Sequence, residues 1–137
     1  RLTRVRSDAL VENIDIFPTL ADACGLELPP LDGKSILKLL DNPEMKWDKA
    51  AYSLYPRGEK YMGCTVTDGD WRYTEWRISE EQALHSVELY PCKVNFDEPG
   101  EQFVGKPKQR NLENKMKKLL DENFSPDRKS FYSVNNE

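Results

Sequence analysis

The chain has 137 residues, with 24 acidic and 20 lysine or arginine side chains and a net charge of −4. That length suits one domain with a modest core, and 38% hydrophobic against 32% charged residues is polar for a self-sufficient one. The basic residues are scattered among acids, which argues against a general nucleic-acid binder, and no apolar run approaches the roughly 20 residues that span a bilayer.

No basic start followed by an apolar core is visible, so no signal peptide is read. The chain opens on Arg1 rather than Met and is expected to be a piece of something longer. Cys24, Cys64 and Cys92 are odd in number, far apart and outside any Cys-x-x-Cys arrangement, which argues against a zinc site. One disulfide with one free thiol, and three buried thiols, are both open. Asn123-Phe-Ser125 is a glycosylation sequon followed by Pro126.

In chain order, residues 1–11 read as a basic loop leading into a short strand. A helix follows over residues 13–25, capped by Asn13 or Asp15, with Pro18 tolerated in its first turn. Phe17, Leu20, Ala21 and Cys24 recur at spacings of three and four and form its apolar stripe. Gly25 stops it and Pro29-Pro30 prevents continuation. Asp32-Gly-Lys-Ser35 reads as a turn, with Ser35 capping a short helix over 36–40 that ends at Asp41-Asn-Pro43. Tyr52 to Arg57 is an extended run closed by Pro56 and Gly58.

The central feature is a hairpin over residues 61–77, turning at Asp68-Gly69-Asp70. Trp71, Tyr73 and Glu75 fall on one face of its second strand, and Arg72, Thr74 and Trp76 on the other. Neither face is purely polar, so both are expected to be covered, one by a helix and one by another piece of protein. Residues 79–84 connect to a last short strand, Val87 to Tyr90, stopped by Pro91. After a loop over 91–106, a helix is expected from Pro107 to about Asn123, with Leu112, Met116, Leu119 and Leu120 on one face. The polar tail, 125–137, is expected to fray.

The fold class is therefore α+β: a small antiparallel sheet of three or four strands packed by a C-terminal helix, preceded by a short helical leader. The divisions expected are 1–45 for the leader, 46–124 for the sheet and helix, and 125–137 for the tail.

Several stretches, in order, resemble the C-terminal portion of the arylsulfatase-type sulfatases. Asp15-Ile-Phe-Pro-Thr-Leu20 with the Gly25-Leu26 end looks like that family's Asp-x-x-Pro-Thr-Leu helix. Leu31-Asp-Gly-Lys-Ser-Ile36 looks like its Gly-x-Ser-Leu turn, and Val87-Glu-Leu-Tyr90 like the Glu-Leu-Tyr of its last strand. Tyr55-Pro-Arg57, Tyr61-Met-Gly63 and Arg72-Tyr-Thr-Glu-Trp76 are most similar to the iduronate-2-sulfatase branch. The stretch Pro91 to Pro99 departs from the acidic turn usual after Glu-Leu-Tyr.

The resemblance covers about residues 9–124 and implies hydrolysis of sulfate esters, with sulfated glycosaminoglycan sugars as substrates and a lysosomal or secreted/periplasmic residence. It implies that residues 1–45 end an upstream catalytic domain, the expected partner, in which calcium and a formylglycine act. No Cys-x-Pro-x-Arg occurs here, so no catalytic or metal residue and no cofactor is assigned to this chain, which alone is expected to be inactive. The alternative is a non-catalytic module, derived from a sulfatase tail, that binds anionic glycans.

The substrate-rim candidates are Arg57, Lys60, Tyr61 and Trp76. Arg57 and Lys60 read as a basic rim over an anionic sugar, since guanidinium grips carboxylate or sulfate bidentately, or as structural ion pairs. Tyr61 and Trp76 read as a sugar-stacking platform, or as core or interface. His85, the single histidine, reads as a solvated loop residue, Asp68 and Asp70 as turn residues, and Cys64 as a buried small hydrophobe. Lys115, Lys117 and Lys118 read as the solvated face of the last helix.

Overall fold

A computed structural model describes residues 5–47, 49–78, 83–93 and 103–124. The chain forms two compact units, Arg1–Ala51 and Tyr52–Glu137. The expected tail, the sequon's Ser125 and most of the 79–84 connection lie outside the described residues. The fold is α+β, with a four-stranded antiparallel sheet, a C-terminal helix and short N-terminal helices.

The first unit is built around a buried carboxylate. A 3₁₀ turn, Asn13–Asp15, runs directly into helix α1, Ile16–Ala23. Glu12 caps the 3₁₀ turn. Asp15, one of the two expected caps, stands at the N-cap position of α1, though its side chain bonds no N–H of that helix; Asn13 caps neither. Asp15 instead reaches back to accept the Glu12 backbone N–H at 2.9 Å, which completes a capping box. Asp15 also accepts the Lys34 backbone N–H at 2.8 Å and the Lys49 ammonium at 2.7 Å, and Lys49 pairs with Glu12 at 2.8 Å. Thr19 Oγ1 donates to the Asp15 carbonyl and accepts the Ile36 N–H at 3.0 Å. Gly33 is required here, because a Cβ would lie 2.0 Å from the Ile14 carbonyl oxygen. These contacts hold the 32–36 turn against the start of α1.

Gly25, at φ 68°, closes α1 in a Schellman motif: its N–H donates to Asp22 and that of Leu26 to Ala21. The apolar stripe faces differently from expectation. Pro18 and Ala21 are buried in line with Asp15, three residues apart, whereas Phe17, Leu20 and Cys24 are exposed. The polar anchor at Asp15 sets the helix rotation, and the stripe lies on the side away from it. Helix α2, Leu37–Asp41, starts after Ile36, with the Leu37 N–H donating to Ser35 Oγ at 3.2 Å. The strand expected after the leading loop is absent among residues 5–12, which take no regular structure.

The second unit is a meander in the order β1-β2-β3-β4. Its strands are β1 (Ala51–Arg57), β2 (Tyr61–Thr67), β3 (Trp71–Ile78) and β4 (Leu84–Pro91). Strands β2 and β3 form the hairpin from Thr67↔Arg72 to Tyr61↔Ile78. The last strand is longer than the expected 87–90, and a register shift at Trp76/Arg77 bulges it. After a 3₁₀ turn, Pro107–Gln109, helix α3 runs Arg110–Asn123.

Alternation puts Cys64, Val66, Tyr73, Glu75 and Leu89 on the face toward α3. There they form the core with Met116 and Leu120, all nearly inaccessible. Glu75 belongs to this core by virtue of its partners. The Tyr73 hydroxyl donates to it at 3.0 Å, Arg77 Nε at 3.0 Å, and Lys117 reaches it from α3 at 3.3 Å. Burial works to raise the Glu75 pKa, but Arg77, Tyr73 and Lys117 outweigh it and hold the carboxyl below its usual range. The same burial, with the Glu75 charge beside it, pushes the Tyr73 hydroxyl well up.

Lys115 and Lys117 are therefore not merely a solvated face. Lys115 pairs with Asp68 at 2.7 Å and Lys117 with Glu75, so both tie α3 to the hairpin. None of the three cysteines is in a disulfide; Cys64 is buried, and Cys24 and Cys92 are exposed, which corrects both cysteine expectations. Among the described residues, no helix is long and apolar enough to cross a membrane.

Truncating Leu120 to alanine is expected to cost about 2–5 kcal/mol, read as a lower urea midpoint at unchanged slope. The lowered pKa of Glu75 means that its contribution is complete at neutral pH. That contribution is lost as pH falls from the ordinary carboxylate value through the folded one. Glu75→Gln should therefore be less stable at pH 7 and lose less stability than the parent between pH 5 and pH 3, followed by circular dichroism.

Candidate functional site

The face of the sheet away from α3 carries a different set of side chains. Ser53, Tyr55 and Arg57 alternate along β1, Gly63 and Thr65 along β2, Arg72, Thr74 and Trp76 along β3, and Ser86, Glu88 and Tyr90 along β4. Within this unit no described helix packs on that side. Cover by another piece of protein was expected here, and the second unit itself supplies none among the described residues.

Trp76 is the centre of this face. Its partner across the hairpin is Gly63, where a Cβ would stand 2.9 Å from the indole ring. The absence of a side chain lets the indole lie over β2. Its Nε1–H donates to Glu88 Oε1 at 3.0 Å. Tyr55 meets the ring edge-on at 6.4 Å between centroids, and the Arg57 guanidinium lies 5.6 Å from the ring centroid. Further along, the Thr65 and Thr74 hydroxyls bond at 2.8 Å, and Arg72 lies 5.8 Å from the Tyr90 ring centroid.

Apart from Tyr90, these residues line a cavity of about 500 Å³ running from Ser53 and Tyr55 across Thr65 to Arg72. A second cavity of about 290 Å³ adjoins it, lined by Tyr61, His85 and Ser86, and shares Arg57, Trp76 and Glu88 with the first. The Tyr61 and His85 rings lie 4.7 Å apart at a 35° tilt, and Lys60 stands 5.3 Å from the Tyr61 ring centroid.

Of the four rim candidates, Arg57, Tyr61 and Trp76 line the cavities, and Lys60 sits over Tyr61 without lining them. Sequence reasoning missed Tyr55, Arg72 and Glu88. The period-two alternation already placed Arg72 on the Trp76 face, and would have placed Tyr55 beside Arg57 on β1. His85 is exposed but lies on β4, not in a loop, because the strand extends back to Leu84. Asp68 and Asp70 are turn residues as read: Asp68 Oδ1 accepts the Asp70 and Trp71 N–H groups at 3.2 and 2.9 Å. Burial works to raise the Asp68 pKa, but Lys115 and those N–H groups outweigh it and hold the carboxyl low.

Chemically, the face offers two guanidinium groups, aromatic rings, hydroxyls, and one carboxylate that accepts the indole N–H. That set suits holding an anionic, hydroxyl-rich ligand. Among the described residues, no group of three or more His, Cys, Asp or Glu side chains is arranged to hold a metal ion. No protein-family model matches the chain.

Adding a methyl group at Gly63 should push the indole off the sheet. Gly63→Ala is expected to cost about 1–3 kcal/mol and to change the near-ultraviolet circular dichroism of Trp76, while the far-ultraviolet spectrum is kept.

Proposed function

We propose that this chain is the C-terminal part of a sulfatase, and that its open sheet face binds the anionic sugar on which the whole enzyme acts. The observation that carries this reading is the Arg57–Trp76–Glu88 arrangement over Gly63. It is a fixed aromatic surface with a permanent cation over it, built from residues of the Tyr-Pro-Arg, Met-Gly and Arg-Tyr-Thr-Glu-Trp stretches that carry the resemblance. A pyranose stacks on such a ring through its C–H face, while its sulfate or carboxylate meets Arg57. Arg72, with the paired threonine hydroxyls, extends the polar surface along the same cavity.

The contacts in the first unit also favour the reading. Asp15 and Thr19 of the Asp-x-x-Pro-Thr-Leu stretch hold the backbone of Lys34 and Ile36 in the Gly-x-Ser stretch. The two resembling segments thus act as one structural piece, which gives their co-occurrence a physical reason. Sulfate-ester hydrolysis belongs to the upstream catalytic domain in this reading. Calcium and formylglycine would be held there, and this chain supplies ligand binding.

Two measurements test the proposal. Reading the encoding transcript upstream of Arg1 should reveal Cys-x-Pro-x-Arg with paired aspartates; a frame without them overturns the enzyme and leaves the non-catalytic glycan-binding module. Titrating the chain with a heparin-derived tetrasaccharide should give salt-sensitive binding that Arg57→Ala weakens about tenfold, the effect of losing a charge-assisted hydrogen bond. Equal binding by the variant would remove this face from the site.

A further inference from the structure

The open face carries a second cation of the same kind as Arg57. Arg72 faces Tyr90 across the β3–β4 register, and its guanidinium lies 5.8 Å from that ring centroid, as Arg57 lies 5.6 Å from the Trp76 centroid. Both arginines are exposed. Arg72 and Trp76 stand four residues apart on β3, which is about 13 Å along a strand. Between them the described residues lining the cavity supply no cation. Thr74 sits midway, its hydroxyl bonded to that of Thr65 at 2.8 Å, and Glu88 is its partner on β4. Along one cavity the order is therefore a cation on a ring, a carboxylate with hydroxyls, and a second cation on a ring.

We propose that this face reads the spacing of charge along a glycan: it takes an oligosaccharide with two anionic groups about 13 Å apart and uncharged, hydroxyl-bearing units between them. This rests on the glycan-binding reading of the face and deepens it, from an anionic sugar to a chain long enough to meet both arginines. Each guanidinium can grip a sulfate or carboxylate bidentately. A single sulfated sugar on Trp76 meets Arg57 alone, whereas a longer chain engages Arg72 as an intramolecular second step and gains affinity from it. Glu88 supplies the discrimination. One of its oxygens accepts the Trp76 indole N–H, which holds the carboxylate in the cavity between the two cations. An anionic group on the middle of the chain would meet that carboxylate and be repelled, while a hydroxyl can donate to it or to the threonine pair.

The experiment is isothermal titration of the full chain with a heparin-derived disaccharide and the heparin-derived tetrasaccharide, at constant pH and ionic strength. Wild type should bind the tetrasaccharide about tenfold more tightly than the disaccharide, the effect of one more charge-assisted hydrogen bond. Arg72→Gln, which removes the charge at an exposed position, should cut that preference to about twofold or less. Glu88→Gln keeps an acceptor for the indole N–H and removes the central negative charge. It should therefore bind the tetrasaccharide, which is charged on every sugar, about threefold more tightly than wild type. A length preference retained in Arg72→Gln, or absent from wild type, would overturn the two-point reading and leave the face at Arg57 and Trp76 standing. Tetrasaccharide binding no tighter in Glu88→Gln would overturn the selection against central charge. Absence of binding by wild type to either probe would overturn the face and the spacing together.

Discussion

The register of the β2–β3 hairpin is the constraint on which the second unit depends. It sets Gly63 opposite Trp76, Thr65 opposite Thr74 and Val66 opposite Tyr73. In a strand the side-chain period is two, so a slip of one residue would turn Tyr73 and Glu75 toward the open face and drive Trp76 against α3. Nothing on α3 could receive an indole without displacing Met116 and Leu120, which are already fully buried. The turn fixes that register chemically: Asp68 accepts the N–H groups of Asp70 and Trp71, and Gly69 takes the positive φ of 93°. Lys115 on α3 holds the other Asp68 oxygen, so the helix and the turn select the same pairing.

Each unit also contains one nearly inaccessible carboxylate that gathers segments far apart in sequence. Asp15 collects Glu12, Lys34 and Lys49, and Glu75 collects Tyr73, Arg77 and Lys117. Burying a charge is costly unless its lone pairs are filled, and both carboxylates have enough donors for that. For Asp15, burial works to raise the pKa, yet the Lys34 N–H, the Lys49 ammonium and the Glu12 N–H hold it low. Lys49 is correspondingly held above its usual value, against the same desolvation. Such clusters specify one arrangement, because any other packing leaves the charge without partners. That is how a chain with 32% charged residues sustains ordered units around small apolar cores.

Local signals encode the elements, and long-range ones were hidden. The hairpin, the Asp68 turn, the Gly25 stop and the last helix are each encoded by a few adjacent residues, and the structure places them where propensity and periodicity do. The rotation of α1 was not legible, because Phe17, Leu20 and Cys24 form as regular a stripe as any core helix shows. What turns them outward is Asp15, whose partners Lys34 and Lys49 lie 19 and 34 residues away. The same holds at the site. Arg57, Tyr61 and Trp76 could be singled out by residue type. Glu88 is recruited by an indole twelve residues earlier, and His85 depends on a bulge with no signal in the residues around it.

The open face is ordered by its own side-chain contacts, and in the proposed glycan-binding reading that order shapes what the face can recognise. Trp76 is held by a hydrogen bond to Glu88, an edge contact from Tyr55, the Arg57 guanidinium and the empty position at Gly63. A ring fixed in this way loses little rotamer freedom on binding, so more of the contact energy appears as affinity. The cations differ in this respect: Arg57 and Arg72 are exposed and lean on aromatic rings rather than on buried carboxylates. A guanidinium resting on a ring keeps its in-plane N–H donors available, whereas one tied to a carboxylate, as Arg77 is to Glu75, has its donors committed. The two faces of one sheet thus use the same side chain for opposite purposes. Arg77 neutralises a charge inside the fold, and Arg57 and Arg72 leave theirs exposed on the open face.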